Sequence, residues 1–145
     1  MTTPLGALDD APAAAQDASL DLEVDILDDQ AAIAACWRNF QREALMTPYQ
    51  SHGWVSAYDH CWREGRRPKR RLLRVRDAAG AVRALLPLDV FHRRGVTVAP
   101  MPGASHANFH MPLLARGAAP SAAEWAEALR QAGEKAGIDL FFFRH

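Results

Sequence analysis

His106 and His110 stand four positions apart, the spacing that on a helix would set two imidazoles on one face as metal ligands. Their surroundings point elsewhere. Pro100, Pro102, Gly103 and Pro112 bracket the pair and no glutamate follows His106, so neither a ligating helix nor a zinc-protease motif is expected, and no metal is assigned. What the run from Ser105 to Leu114 offers is polar groups that a plain core strand would not need: His106, Asn108 and His110 can hydrogen-bond or contact a substrate. Tyr49 and Gln50, on the turn after Pro48, are a second pair with that capacity. Structural satisfaction of a loop or turn is the alternative for all five.

Other chemistries fail on their patterns. Pro102-Gly103-Ala104-Ser105 is too poor in glycine for a phosphate loop, and no lysine followed by serine or threonine completes one. Arg130-Gln131-Ala132-Gly133 begins like an acyl-CoA loop, Gln/Arg-x-x-Gly-x-Gly/Ala, but continues with Glu134-Lys135 inside a helical pattern. Nucleophile elbows, cysteine–histidine pairs with an orienting acid and paired carboxylates are also missing. Cys36 and Cys61 fall on the apolar faces of predicted helices, where a free thiol acts as a small buried hydrophobe, and a disulfide framework is not expected. Catalytic residues therefore stay unassigned.

The 145 residues, 49% of them apolar, suit one globular domain. No run approaches the roughly 18 apolar residues of a membrane span, and no basic segment precedes an apolar one at the N-terminus, so a cytoplasmic location is the default. Net charge is zero, yet residues 1–30 carry eight acidic and no basic side chains, while the remainder is basic by eight. Arg66, Arg67, Lys69, Arg70 and Arg71 crowd into six positions, expected as a loop between helix and strand. Such a run could face phosphate; without interleaved aromatics or a nucleic-acid module, specific nucleic-acid binding is not expected and a solvated loop is.

The elements that must position these groups are legible from their periods. Residues 1–19 lack large apolar groups and are expected to be a disordered leader, with the domain spanning 20–145. Leu20, Leu22, Val24 and Ile26 alternate with acids, as in a strand with one wet face. Asp28 or Asp29 caps a helix striped by Ile33, Cys36, Trp37, Phe40 and Ala44, which Pro48 ends near Met46. Ser51 then caps a helix of about three turns whose Trp54, Ala57, Tyr58, Cys61 and Trp62 share a face. Burial of each large ring is worth about 1.5–3 kcal/mol, so that face is expected to pack on a sheet, with Gly65 as C-cap. Leu72 to Arg76 and Ala81 to Phe91 form a hairpin about Asp77–Gly80, and Pro87 within the second strand implies an edge, a bulge or a splay. His92–Gly95 turns into a strand over Val96–Ala99. Ser121 and Glu124 make a capping box before a helix closed by Gly137, and Ile138–Phe143 is a last strand.

Thr47-Pro48-Tyr49-Gln50 with Trp54, Leu85-Leu86-Pro87-Leu88, and His106-Ala107-Asn108-Phe109 through Pro112-Leu113, in this order and spacing, resemble the amino-terminal half of the CelD-type acetyltransferases. These are GNAT-superfamily enzymes linked by name to cellulose or exopolysaccharide synthesis. The resemblance runs from about Leu20 to the last residue. It implies an α+β, GNAT-like fold with a mixed, mainly antiparallel sheet flanked by helices. It also implies acetyl-CoA or another acyl-CoA as cofactor and a small-molecule, saccharide or amine acceptor. Family members are similar to tandem GNAT folds with the clearer acyltransferase signature in the second half. A complete fold would need strands after Phe143, so the chain is expected to be a truncated fragment, inactive alone, with that missing half as its partner. Tyr49, Gln50, His106, Asn108 and His110 are then candidates for the acceptor wall. A non-catalytic scaffold or interaction domain is the alternative.

Overall fold

The computed structural model describes residues 22–62 and 66–143; the expected leader, residues 1–19, and the expected cap Gly65 lie outside them. Six strands, β1 (Leu22–Leu27), β2 (Lys69–Asp77), β3 (Val82–Arg93), β4 (Val96–Pro100), β5 (Leu113–Leu114) and β6 (Leu140–Phe142), form one sheet in the order β1-β2-β3-β4-β6, with β5 paired to β3. All pairings are antiparallel except β4 with β6. Three helices, α1 (Gln30–Phe40), α2 (His52–Asp59) and α3 (Ala122–Ala136), flank it. The fold class is thus mixed α+β with a mainly antiparallel sheet. No described helix is long and apolar enough to cross a membrane.

Strand parity divides the core in two. Leu73, Val75, Ala84, Leu86, Leu88 and Val90 pack with Ala128 and Ala132 of α3. Leu72 and Leu85, of opposite parity, pack with Ile33 and Trp37 of α1 and Val55 of α2. The β2–β3 register fixes the facing pairs, and Arg70 lies directly opposite Asp89, with Leu72 opposite Pro87. On its other edge β3 pairs with β5 at Ala84–Leu85 and with β4 at Phe91–Arg93. No described ladder pair falls on Leu86–Val90 along that edge, so the sheet splits at the segment holding Pro87. Of the three outcomes expected for this proline, the splay is the one observed.

Local chemistry explains the boundaries. Asp29 accepts from the Ala32 amide at 2.8 Å to start α1. Ser121 and Glu124 exchange hydrogen bonds at 3.3 and 2.7 Å to start α3, and Gly137 ends it at a φ of 62°. Arg83 then ties the start of α3 to β3 through Glu124 at 2.6 Å. Four expectations need correction. α1 stops at Phe40, well before Met46, because Leu45 is taken into a bridge with Leu114, its amide 2.7 Å from the Leu114 oxygen. α2 has 8 residues, short of three turns. Cys61, beyond its end, is exposed. The basic run is not all loop, since Lys69, Arg70 and Arg71 already belong to β2.

Candidate functional site

Thr47–Gln50 forms the bend that aims α2. Pro48 opens a 3₁₀ turn where its missing N–H and fixed φ are harmless. The Gln50 side-chain oxygen accepts from the Thr47 amide and hydroxyl at 2.8 and 2.7 Å. Its amide nitrogen donates to the Phe109 oxygen at 2.8 Å, and its backbone oxygen accepts from Trp37 Nε1 at 2.9 Å. Gln50 is 2% exposed. One side chain therefore joins the bend to the loop carrying the histidines.

From that bend an aromatic series runs along α2. Tyr49 sets its edge on Trp54 at a centroid distance of 5.3 Å, Trp54 stacks on Tyr58 at 5.7 Å, and Tyr58 meets Trp62 at 6.2 Å. Trp62 in turn lies 5.9 Å from Phe91 of β3. The expectation that this face is core holds in part: Val55 is buried and the half-buried Trp54 packs against the α1–α2 core cluster, whereas Tyr58 and Trp62 are half-buried outside it and Ala57 is exposed. The Tyr58 and Trp62 rings wall a cavity of about 360 Å³ beside the split in the sheet, lined also by Asp89, Phe91, Met101 and His110 among others. Trp62 Nε1 is buried there without a hydrogen-bond partner among the described residues.

Asp89 brings a carboxylate to the cleft wall. Asp89, 3% exposed, accepts from Arg70 Nε at 2.6 Å, and Arg70, 9% exposed, also donates to Asp59 at 2.8 Å. Burial pushes the Asp89 carboxyl above its ordinary value, against the pull of Arg70, and the Asp59 charge adds to the rise. Burial likewise pushes the Tyr58 phenol up, reinforced by Asp89, which keeps it a proton donor at neutral pH. Arg93 lies 6.0 Å over the Phe91 ring at the rim.

The chain is similar in structure to an aminoglycoside acetyltransferase from an uncultured soil metagenomic sample. Identity is 14% and the TM-score 0.46, over 83% of this chain and 77% of that one. No family model and no curated protein matches.

The five residues singled out from sequence are gathered near the cleft but not equally. His110 lines it. His106, exposed on a 3₁₀ turn over Ala104–His106, has its ring 6.0 Å from Tyr58. Asn108 donates to the Tyr49 hydroxyl at 2.9 Å, one ring further out, and Gln50 lies buried beneath them. Sequence reading missed Asp89, Arg70 and Asp59. The available signal was a lone carboxylate in the apolar run Leu88-Asp89-Val90, since a charge inside a buried strand requires a partner.

The basic run lines a larger cavity of about 490 Å³, together with Asp28 and Asp59. There Arg71 pairs with Asp28 at 3.0 Å and Arg70 with Asp59, which removes much of the field a phosphate would meet. Among the described residues no group of three or more histidine, cysteine, aspartate or glutamate side chains could hold a metal.

Proposed function

We propose that this chain serves acyl transfer, as the amino-terminal portion of a GNAT-like N- or O-acyltransferase, and that the aromatic cleft receives the acceptor. The observation that supports this reading is the position of the cleft at the split edge of β3, between its pairings with β5 and β4. An edge without a ladder partner leaves room for a bound group beside the strand, and rings over a buried carboxylate suit a small molecule with both apolar and hydrogen-bonding parts.

In this reading the acceptor is an amine or alcohol, saccharides included, and acetyl-CoA or another acyl-CoA is the acyl donor. His106 and His110 form the wall nearest Tyr58, Asn108 and Tyr49 extend it outward, and Gln50 fixes the loop that carries it. Orientation is the chain's main contribution, because holding a nucleophile in attack geometry replaces translational freedom that would otherwise raise the barrier. The described residues contain no glycine-rich anion cradle, so none is assigned to the donor's phosphates; the CelD-type resemblance puts the acyltransferase signature on a second half.

The test is transfer of labelled acetyl from acetyl-CoA to a panel of amino and hydroxyl acceptors by the full-length protein, with titration calorimetry of acetyl-CoA alongside. Trp62→Ala is expected to raise the acceptor KM at least about tenfold, equivalent to about 1.4 kcal/mol, while leaving acetyl-CoA affinity unchanged. Absence of both donor binding and transfer would sink the reading. It would favour the alternative of a non-catalytic interaction domain, for which the exposed large hydrophobics Leu140 and Phe142 of β6 speak.

A further inference from the structure

We propose that Asp89 is the proton acceptor of the cleft, and that Arg70 and Asp59 are positioning residues that hold its carboxylate there. The proposal rests on the acceptor reading above and names the group in that site which takes the acceptor's proton.

The placement follows from strand parity and register. Leu85, Pro87, Asp89 and Phe91 share one face of β3, and Arg70 faces Asp89 across the ladder. α2 ends at Asp59, which brings a second carboxylate to the same guanidinium. Arg70 is thus shared between the buried Asp89 and the more exposed Asp59, with Arg67 beside Asp59, its guanidinium donating to the Asp59 backbone oxygen at 3.3 Å. Arg70 Nε engages Asp89 Oδ1, so a single carboxylate oxygen is fixed, and the residue still lines the cavity.

The other titratable groups facing Asp89 from the surrounding elements are Tyr58 of α2, Arg93 of β3 and His110 of the loop after β4. Burial raises the Tyr58 phenol, which keeps its proton at neutral pH. In the transfer step the acceptor nitrogen or oxygen forms its bond to the acyl carbon of a thioester, and the acceptor's proton passes to the Asp89 carboxylate. The carbon–sulfur bond breaks with its electron pair on the thiolate, which is released as thiol after taking up a proton.

The direction of each perturbation is set by charge. Desolvation already makes Asp89 easier to protonate than an ordinary aspartate, which moves a base toward the pH at which it must work. Removing Asp59 takes away a like charge and lets Arg70 act on Asp89 alone, so Asp89 should ionise at lower pH. Removing the charge of Arg70 should do the opposite.

The Trp62 indole shares the cavity with Asp89, and its ¹H–¹⁵N resonance followed against pH reads the carboxylate without any activity. We expect the wild-type signal to titrate with a midpoint above the usual aspartate range, Asp59→Asn to move that midpoint down by at least about half a unit, and Asp89→Asn to abolish it. Arg70→Gln should move it up, and Asp59→Asn keeps the test decisive if the arginine variant fails to fold. A midpoint that survives Asp89→Asn, stays fixed in Asp59→Asn, or disappears in His110→Gln instead, overturns the proposal. If the titration behaves as expected and no acyl transfer is found, the acyl-transfer reading fails and the carboxylate network stands.

Discussion

Trp37→Ala is expected to lower the unfolding free energy by about 3–5 kcal/mol through lost packing, and by about 1–3 kcal/mol more through its lost hydrogen bond. Trp37 is 1% exposed, at the centre of the cluster that joins α1 and α2 to Leu72, Leu85 and Leu113. Truncation leaves a cavity between two helices that cannot collapse without undocking one of them from the sheet. It also removes the donor to the Gln50 oxygen, at the bend that orients the aromatic series. Because a small domain has only about 5–15 kcal/mol in total, the variant should retain little cooperative structure at room temperature. Urea unfolding with linear extrapolation measures it. Trp37→Phe should restore most of the packing but not the hydrogen bond, and lose about 1–3 kcal/mol. A loss below about 1 kcal/mol for Trp37→Ala would mean that α1 is not docked as described.

Trp37 also illustrates what periodicity can reveal. Ile33 and Trp37 stand four apart on a capped helix and face the sheet as their spacing requires. The hairpin about Asp77–Gly80, the α3 capping box and the positions of most strands along the chain were legible for the same reason, because each is encoded within a few neighbouring residues. Tyr58 and Trp62 were misread because a helical stripe reports that residues share a face, not what the face meets. Rings bordering a cleft and rings packed on a sheet have the same spacing. Only tertiary geometry separates Val55, under the helix, from the series beside it.

Arg70 and Asp89 were illegible for a different reason. Five cations in six positions look like a solvated run, and their boundary with β2 is set by pairing with β3 rather than by local propensity. Parity within Leu85-Leu86-Pro87-Leu88-Asp89-Val90-Phe91 could have flagged Asp89 as a charge on a strand buried on both faces. Its partner depends on register, 19 residues away in sequence, which no local pattern specifies. The splay at Pro87 was partly legible, since a proline in a strand demands an unpaired edge, but which neighbours would part around it was not.

Gly103→Ala is the substitution expected to disturb the cleft most directly. Gly103 has a φ of 102°, where an alanine Cβ is strained at a cost of about 1–3 kcal/mol. Space adds a second penalty: the new Cβ would meet the Ala107 Cβ at 2.8 Å and two Trp54 ring carbons at 2.9 Å. The ring has little freedom to yield, being stacked on Tyr58 at an interplanar angle of 1° and capped by the edge of Tyr49. Overpacking of this kind costs about 1–3 kcal/mol. The loop should therefore move, carrying His106 and His110 away from Tyr58 and loosening the Gln50 bond to Phe109. We expect a stability loss of about 2–6 kcal/mol from the two effects together, altered near-ultraviolet dichroism from the tryptophans, and weaker acceptor binding with little change in the sheet's far-ultraviolet signal. Gly103→Ala combined with Ala107→Gly removes one clash and keeps the backbone strain, so it should recover part of the loss and not all of it. Full recovery would place the whole penalty in the contact with Ala107. No loss in the single variant would show that Trp54 does not press on Gly103, and would remove the link between the aromatic series and the histidine loop.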